Sequence, residues 1–262
     1  MKKLRPATKY HGGKYYLCPW IIEHLPTHKT YIEPFGGCAS VLLNKHPSER
    51  EIYNDLESGI FSLMLVLKNE FHEFSRIIKP IPYTKDVYFE FKNKVAISTM
   101  DLAVKTFITK RMSRGGLCGT FCWSSRMTRG IPAESYAWES MKDQLSLLSE
   151  RLNNVQMYNK DALEIIALND YPDTTIYVDP PYVTKTRIFK KAYALEMSDN
   201  EHIALAKVLN SMQYAKILVS GYPSELYATL YKSWRCDEKL IANHASQESH
   251  KPIKRESLWM NF

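Results

Sequence analysis

The residues best suited to do chemistry in this chain are Asp179-Pro180-Pro181-Tyr182. They follow the apolar run 174–178 (TTIYV), which reads as a strand, so they stand at a strand's carboxyl end, where open α/β sheets bind ligands. Two successive prolines remove two backbone donors and stiffen the loop, and the first of them holds Asp179 extended. The result is a rigid platform that only accepts hydrogen bonds. The Asp179 carboxylate and the Pro180 carbonyl can both accept from one NH2 group, and the Tyr182 ring can stack on a planar base. Two acceptors on one amino group draw its lone pair out of conjugation and aim it at an electrophile. That chemistry needs no covalent enzyme intermediate, and no Cys–His or Ser–His pair is evident in the sequence.

Three further segments carry ligand-binding patterns. Phe35-Gly36-Gly37-Cys38-Ala39 lies where a strand gives way to a predicted helix, and glycine there lets backbone approach a ligand. Asp55 stands eighteen residues beyond Gly37, at the end of the next strand, the distance at which an acidic residue meets a ribose diol in nucleoside-binding folds. The strict G-x-G-x-x-G pattern is absent. Lys9-Tyr10-His11-Gly12-Gly13-Lys14 reads either as a surface turn or as a ligand loop with Lys14 opposite a carboxylate. Asp161, in Asn159-Lys160-Asp161-Ala162, reads either as a helix N-cap or as an acceptor for an adenine amino group.

The elements that must position these residues alternate. Strands are predicted over 29–35 and 51–55 with helices over 38–46 and 57–69, the opening of a parallel sheet with crossover helices. From 70 to 149 the pattern is helical, near 86–96, 101–113 and 135–150, with a Gly-rich basic loop at 113–119. Alternation then resumes, with strands at 155–158, 174–178, 215–220, about 235–242 and 256–261. Helices are expected at 161–168, 198–210 and 223–231. About seven strands in one α/β domain, 1–60 with 150–262, are therefore interrupted by a mostly helical insert, 61–149.

The net charge of +7 is unevenly placed. Residues 61–149 carry 13 basic and 8 acidic side chains, whereas 150–262 carry 14 of each. No acidic residue lies between Asp101 and Glu134, a stretch holding Lys105, Lys110, Arg111, Arg114, Arg126 and Arg129. Such a stretch is either a solvated face or a polyanion site, where each neutralised phosphate releases counterions. Five cysteines at irregular positions, an odd count, argue against a disulfide framework. Cys118 and Cys122 lack the two further ligands that a tetrahedral zinc site needs, so no metal is expected. No run approaches the roughly 20 apolar residues of a membrane span, and the basic start lacks a signal peptide's apolar stretch. A cytoplasmic protein is expected.

Taken in order, these segments resemble the α-class amino-methyltransferases of DNA, specifically the D12-class DNA adenine methyltransferases of bacteria and their phages. Tyr10-His11-Gly12-Gly13-Lys14 is similar to the family's Trp-x-Gly-Gly-Lys. Glu33-Pro34-Phe35-Gly36-Gly37-Cys38-Ala39-Ser40 is similar to Glu-Pro-Phe-x-Gly-x-Gly-Ser, with Ala39 at the last glycine, and Asp-Pro-Pro-Tyr is intact. The resemblance implies a Rossmann-like S-adenosylmethionine-dependent fold and transfer of a methyl group to N6 of a flipped-out adenine in double-stranded DNA. It implies catalytic roles for Asp179, Pro180, Pro181 and Tyr182. Its cofactor set comprises Tyr10, Gly13, Lys14, Glu33, Pro34, Phe35, Gly36, Gly37, Cys38, Ala39, Ser40, Asp55, Asp161, Ala162 and Asp179. Within that set Phe35 and Gly37 line the methionine part, Lys14 meets its carboxylate, Asp55 the ribose hydroxyls and Asp161 the adenine.

The family places its target-recognition domain between cofactor loop and catalytic motif, where 61–149 falls. Lys110, Arg111, Arg114, Arg126 and Arg129 are accordingly expected on DNA, in a monomer or weak dimer of a bacterial cell or phage-infected host. The alternatives are the same chemistry on cytosine N4, an RNA substrate, or an inactive DNA-binding homologue.

Overall fold

The computed structural model describes residues 3–186, 195–242 and 253–262. In chain order these form α1 (Cys18–Glu23), β1 (Thr30–Glu33), β2 (Arg50–Asn54), α2 (Ser58–Asn69), α3 (Phe71–Ile78), α4 (Lys85–Asn93) and α5 (Thr99–Met112). There follow β3 (Met127–Thr128), β4 (Ile131–Pro132), α6 (Ala133–Lys142), α7 (Leu145–Leu152), β5 (Val155–Tyr158), α8 (Ala162–Ala167) and β6 (Thr174–Val178). The chain closes with α9 (Asp199–Ser211), β7 (Lys216–Gly221), α10 (Glu225–Leu230), β8 (Arg235–Ala242) and β9 (Ile253–Met260).

One seven-stranded sheet runs in the order β5-β2-β1-β6-β7-β9-β8. β1 pairs in parallel with β2 and β6, and β6 with β7, while β9 is antiparallel to both β7 and β8. This is a doubly wound α/β sheet with an antiparallel end. β6 is buried along its whole length, as a central strand covered on both faces must be. That is why 174–178 is an unbroken apolar and threonine run rather than an alternating one.

The chain divides into two compact units. One comprises Met1–Cys18, Gly37–His46 and Glu57–Met157; the other comprises Pro19–Gly36, Pro47–Leu56 and Tyr158–Phe262. The second has a core of Ile32, Ile52, Ile176, Val178, Ile217 and Val219 from the sheet, with Leu205 and Leu209 of α9 and Tyr227 of α10. Each such aliphatic side chain contributes on the order of 1.5–3 kcal/mol by burial. A capping box fixes the start of α9, with Ser198 Oγ accepting from the Glu201 amide and the Glu201 side chain accepting from the Ser198 amide.

The first unit is helical. α2 lies close against α5, and Gly59 permits the approach, since a Cβ there would fall 2.6 Å from Thr106 Oγ1. Phe74 meets Phe107 edge-on, and Trp138 packs on Phe107 while its Nε1 donates to the Ile81 carbonyl at 2.9 Å. Thr84 and Ser98 cap α4 and α5. This unit takes in more than the span 61–149 because segments 3–18 and 37–46 are tied into it. The Leu4 amide donates to Asn44 Oδ1, and Arg151 Nη2 donates to the Leu42 carbonyl.

Several elements differ from the sequence reading. Residues 38–46 form successive turns, not a helix: the amides of Leu43 and Lys45 bond four residues back, but Asn44 bonds three back to Val41. The expected helix 135–150 is two, α6 and α7, parted at Asp143-Gln144. α1 and α3 were not expected. Nor was the β3–β4 hairpin, whose tip Arg129-Gly130 has φ of 52° and 80°. Two positive φ angles are what a two-residue type I′ turn requires.

Candidate active site

Within the second unit the sheet reverses its winding between β1 and β6, the place where open α/β sheets bind ligands. Their register, Thr30↔Thr174 through Ile32↔Ile176, sets Glu33-Pro34 level with Tyr177-Val178, just before Asp179. Pro180 and Tyr182 are buried, while Asp179 and Pro181 are half-buried. Glu33 is buried, and its Oε1 accepts from the Tyr31 hydroxyl at 2.8 Å. Gly36 lies against a ring of its own unit: a Cβ there would sit 2.2 Å from Tyr53 Cε2.

The loops after β1, β2 and β5 are joined through one side chain that sequence reasoning missed. Asn54, fully buried, donates from Nδ2 to the carbonyls of Pro34 (2.8 Å) and Lys160 (3.0 Å). Its Oδ1 accepts from the Lys160 amide at 3.0 Å, and its own carbonyl accepts from the Gly36 amide at 2.8 Å. Asn159 Nδ2 donates to the Asp55 carbonyl at 2.6 Å, and Asp55 itself is 8% exposed. Asp161 is the N-cap of α8, accepting from the Leu163 amide at 2.7 Å, and Ala162 is buried behind it. The only sequence signal for Asn54 is its place at a strand's carboxyl end, beside Asp55.

The electrostatics here are acidic. The Tyr177 phenol is pushed far above its usual range, first by burial and then by the charge of Asp179, with Glu256 and Glu33 adding to it. Its hydroxyl lies 2.8 Å from Ser220 Oγ. Three carboxylates thus bear on one buried region, which suits a ligand carrying positive charge. Tyr182 is not an open ring. It is 3% exposed, its hydroxyl donates to Glu256 Oε1, and Tyr222 meets it edge-to-face at 4.7 Å.

Within the first unit, the Gly13 amide donates to the Tyr10 carbonyl at 3.1 Å, closing a tight turn. A Cβ on Gly13 would crowd that carbonyl (3.1 Å) and Cys38 Sγ (3.3 Å). Lys14 is buried and donates to the Gly12 carbonyl at 2.8 Å. Gly37 has φ 49° and faces the Tyr10 ring, while Cys38 Sγ lies 3.3 Å from Ser40 Oγ.

Ala39 is fully buried with φ 53°, a conformation costing a non-glycine residue about 1–2 kcal/mol. Its buried methyl returns about 0.8 kcal/mol, and a glycine would lose more backbone entropy on folding, roughly 0.5–1 kcal/mol. The terms nearly cancel. Ala39→Gly should therefore shift stability by less than about 1 kcal/mol, whereas branched Ala39→Val should lose 2 kcal/mol or more, by roughly the same accounting. Chemical melts of both variants check this, and a large gain in Ala39→Gly would contradict it.

The basic residues separate into two groups. Lys110 is 2.9 Å from Glu57, both mostly buried, and its Nζ lies 4.8 Å from the centre of the Tyr10 ring, while Tyr10 donates to Glu57 at 3.2 Å. Arg111 donates to the Ala137 carbonyl at 3.1 Å, and burial with the nearby Arg5 pulls its guanidinium down to about 10. Both residues are half-buried and held by partners of their own unit. Arg114, Arg126 and Arg129 are exposed. They lie on the segment that carries exposed Leu117, Trp123, Met127 and Ile131. Cys118 and Cys122 are half-buried free thiols, and among the described residues no group of three or more His, Cys, Asp or Glu is placed to hold a metal.

Comparison with known proteins decides the family. Residues 10–248 match the model of the D12 class N6 adenine-specific DNA methyltransferases. The chain belongs to this family. It is 27% identical over 242 residues to the DNA adenine methylase of Vibrio cholerae, and 26% identical over 241 to that of Escherichia coli K12. Each alignment covers 88% of this chain and 86% of the relative. Among solved structures, an S-adenosylmethionine-dependent methyltransferase from Agrobacterium tumefaciens covers 94% of this chain and 59% of its own, at 8% identity and TM-score 0.38. A putative methyltransferase from Streptococcus mutans in complex with S-adenosylhomocysteine reaches 0.37 at 7% identity, covering 94% and 96%. The D12-class enzyme is an adenine-specific DNA methyltransferase whose methyl donor is S-adenosylmethionine, and its α/β sheet is the expected Rossmann-like one. Membership of an N6-adenine class bears out the expected adenine target over the cytosine N4 alternative.

Proposed function

We propose that the chain methylates N6 of an adenine turned out of double-stranded DNA, with Asp179 and the Pro180 carbonyl as the two acceptors of its amino group. The observation that carries this reading is the placement of Asp179, half-buried, at the carboxyl end of β6 beside β1. Inside a stacked duplex neither acceptor can reach N6, so the base must leave the stack at a cost of a few kcal/mol. S-adenosylmethionine supplies a sulfonium-bound, electrophilic methyl group. The acceptors hold both amino protons, localise the lone pair on nitrogen and counter the positive charge that grows there during transfer. One of those protons then leaves along its hydrogen bond to the Asp179 carboxylate.

The donor set of the second unit fits this cofactor. The carboxylates of Glu33, Asp55 and Asp161 stand at three neighbouring strand ends, matching a ligand with a ribose diol, an amino group and a positive sulfur. Asp55 takes the ribose hydroxyls, Asp161 the adenine amino group alongside its capping bond, and Phe35 the methionine chain. The roles of Lys14 and Gly37 rest on the motif resemblance alone.

Segment 61–149 is the target-recognition region in this reading, and Arg114, Arg126 and Arg129 are its phosphate contacts. Replacing all three by alanine should flatten the slope of log K against log salt by about 0.9 for each phosphate no longer neutralised. Filter binding or anisotropy at several salt concentrations measures it; an unchanged slope rejects the assignment. Lys110→Ala should instead appear in stability, because it breaks the ion pair with Glu57. For the activity itself, transfer of a labelled methyl group to unmethylated duplex DNA should yield N6-methyldeoxyadenosine after digestion to nucleosides. Tight binding without incorporation would mark an inactive homologue.

A further inference from the structure

We infer that Glu256 of β9 is a positioning residue for methyl transfer, fixing through the phenolic O–H of Tyr182 the loop that carries Asp179 and the Pro180 carbonyl; this rests on the proposed role of those two acceptors. Glu256 is 2% exposed and Tyr182 3%, and the hydroxyl of the one donates to Oε1 of the other. A carboxylate so deeply buried is costly unless hydrogen-bonded, and two more, Asp179 and Glu33, bear on the same buried region. Fold stability alone would be served as well by an apolar residue at this position.

What the glutamate adds is direction. A tyrosine held only by packing can rotate about χ1 and χ2, whereas one anchored at its far end keeps a single tilt. The anchoring strand is itself well fixed. Ser257, next to Glu256, pairs with Gly221 of β7, and Gly221 leads directly into Tyr222, whose ring meets Tyr182 edge-to-face at 4.7 Å. Glycine is required at 221, since a Cβ would fall 2.7 Å from Tyr227 Cε2. Tyr182 is therefore held at its hydroxyl by β9 and at its ring by the residue that leaves β7. The Pro180 carbonyl lies two residues from that anchored ring and Asp179 three, so the placing of both acceptors depends on it. Misalignments of about 1 Å at a reacting group can cost about 100-fold in rate.

The test uses the full-length protein in single-turnover methylation, with cofactor and DNA affinities measured separately. Glu256→Ala and Tyr182→Phe should each lower the transfer rate about 10- to 100-fold, with both affinities within threefold of wild type. The double variant should be no slower than either single one, because both remove the same hydrogen bond. Glu256→Gln, whose amide oxygen still accepts from the hydroxyl, should recover to within about threefold of wild type. Additive losses in the double variant, or a Gln variant as slow as the Ala variant, would overturn the inference. Tyr182→Phe deletes one oxygen and keeps the ring, so the question stays answerable if Glu256→Ala does not fold. Asp179→Ala separates the two levels. An active Asp179→Ala rejects the acceptor reading itself, whereas an inactive one beside near-wild-type Tyr182→Phe and Glu256→Ala rejects only the positioning role.

Discussion

Asp179→Ala should lower the methyl-transfer rate on the order of 1000-fold or more while DNA affinity stays within about threefold. The variant removes one of the two acceptors that localise the amino lone pair, an interaction that strengthens as charge develops and contributes little to ground-state binding. Asp179→Asn keeps an acceptor oxygen but loses the charge and adds a donor facing the amino group, so it should fall between wild type and alanine. The fold should tolerate both. Asp179 is half-buried and shares its surroundings with Glu33 and Glu256, so removing one negative charge relieves repulsion that offsets lost hydrogen bonds. Stability within about 1 kcal/mol of wild type is expected on that balance. Single-turnover assays with thermal melts check both halves. A rate above a tenth of wild type would mean that the amino group is activated elsewhere.

The chemistry of this chain was more legible in its sequence than its geometry was. Asp179-Pro180-Pro181-Tyr182 could be read because stiff prolines after an apolar strand leave few other uses for the motif, and the register of β1 on β6 sets it just beyond the level of Glu33-Pro34. The strands were legible because central parallel strands are apolar throughout. The segment 38–46 misled because Val41, Leu42 and Leu43 are buried, as a helix face would be, but Ala39 at φ 53° starts the segment in a conformation that a helix cannot propagate. The basic stretch was legible as a stretch only. Charge counts do not distinguish Lys110, folded onto Glu57, from Arg129 at a hairpin tip, because that depends on which helix face turns inward. Glu256 left no pattern, and Asn54 only its place at a strand's carboxyl end. Each acts through one side chain buried against partners 74 and 20–106 residues away.

Asn54→Ala is the substitution outside the catalytic motif expected to cost the most. It leaves the carbonyls of Pro34 and Lys160 and the Lys160 amide without their partner, the first of them where water has little access. One buried and two part-buried hydrogen bonds at about 1 kcal/mol each or less amount to roughly 2–3 kcal/mol. The loss should not stop at stability. The loop after β1 carries Phe35, that after β2 carries Asp55, and that after β5 carries Asp161; Asn54, at the head of the second, bonds to the first and the third. Cofactor affinity should accordingly fall by about tenfold or more, as preorganisation is lost. Asn54→Asp sharpens the test. The acid still accepts from the Lys160 amide but sets a carboxylate oxygen against two carbonyls, so it should be at least as damaging as alanine. Denaturant melts and calorimetric cofactor titration measure the two effects, and an aspartate variant with wild-type stability would show that the amide protons of Asn54 do not join these loops.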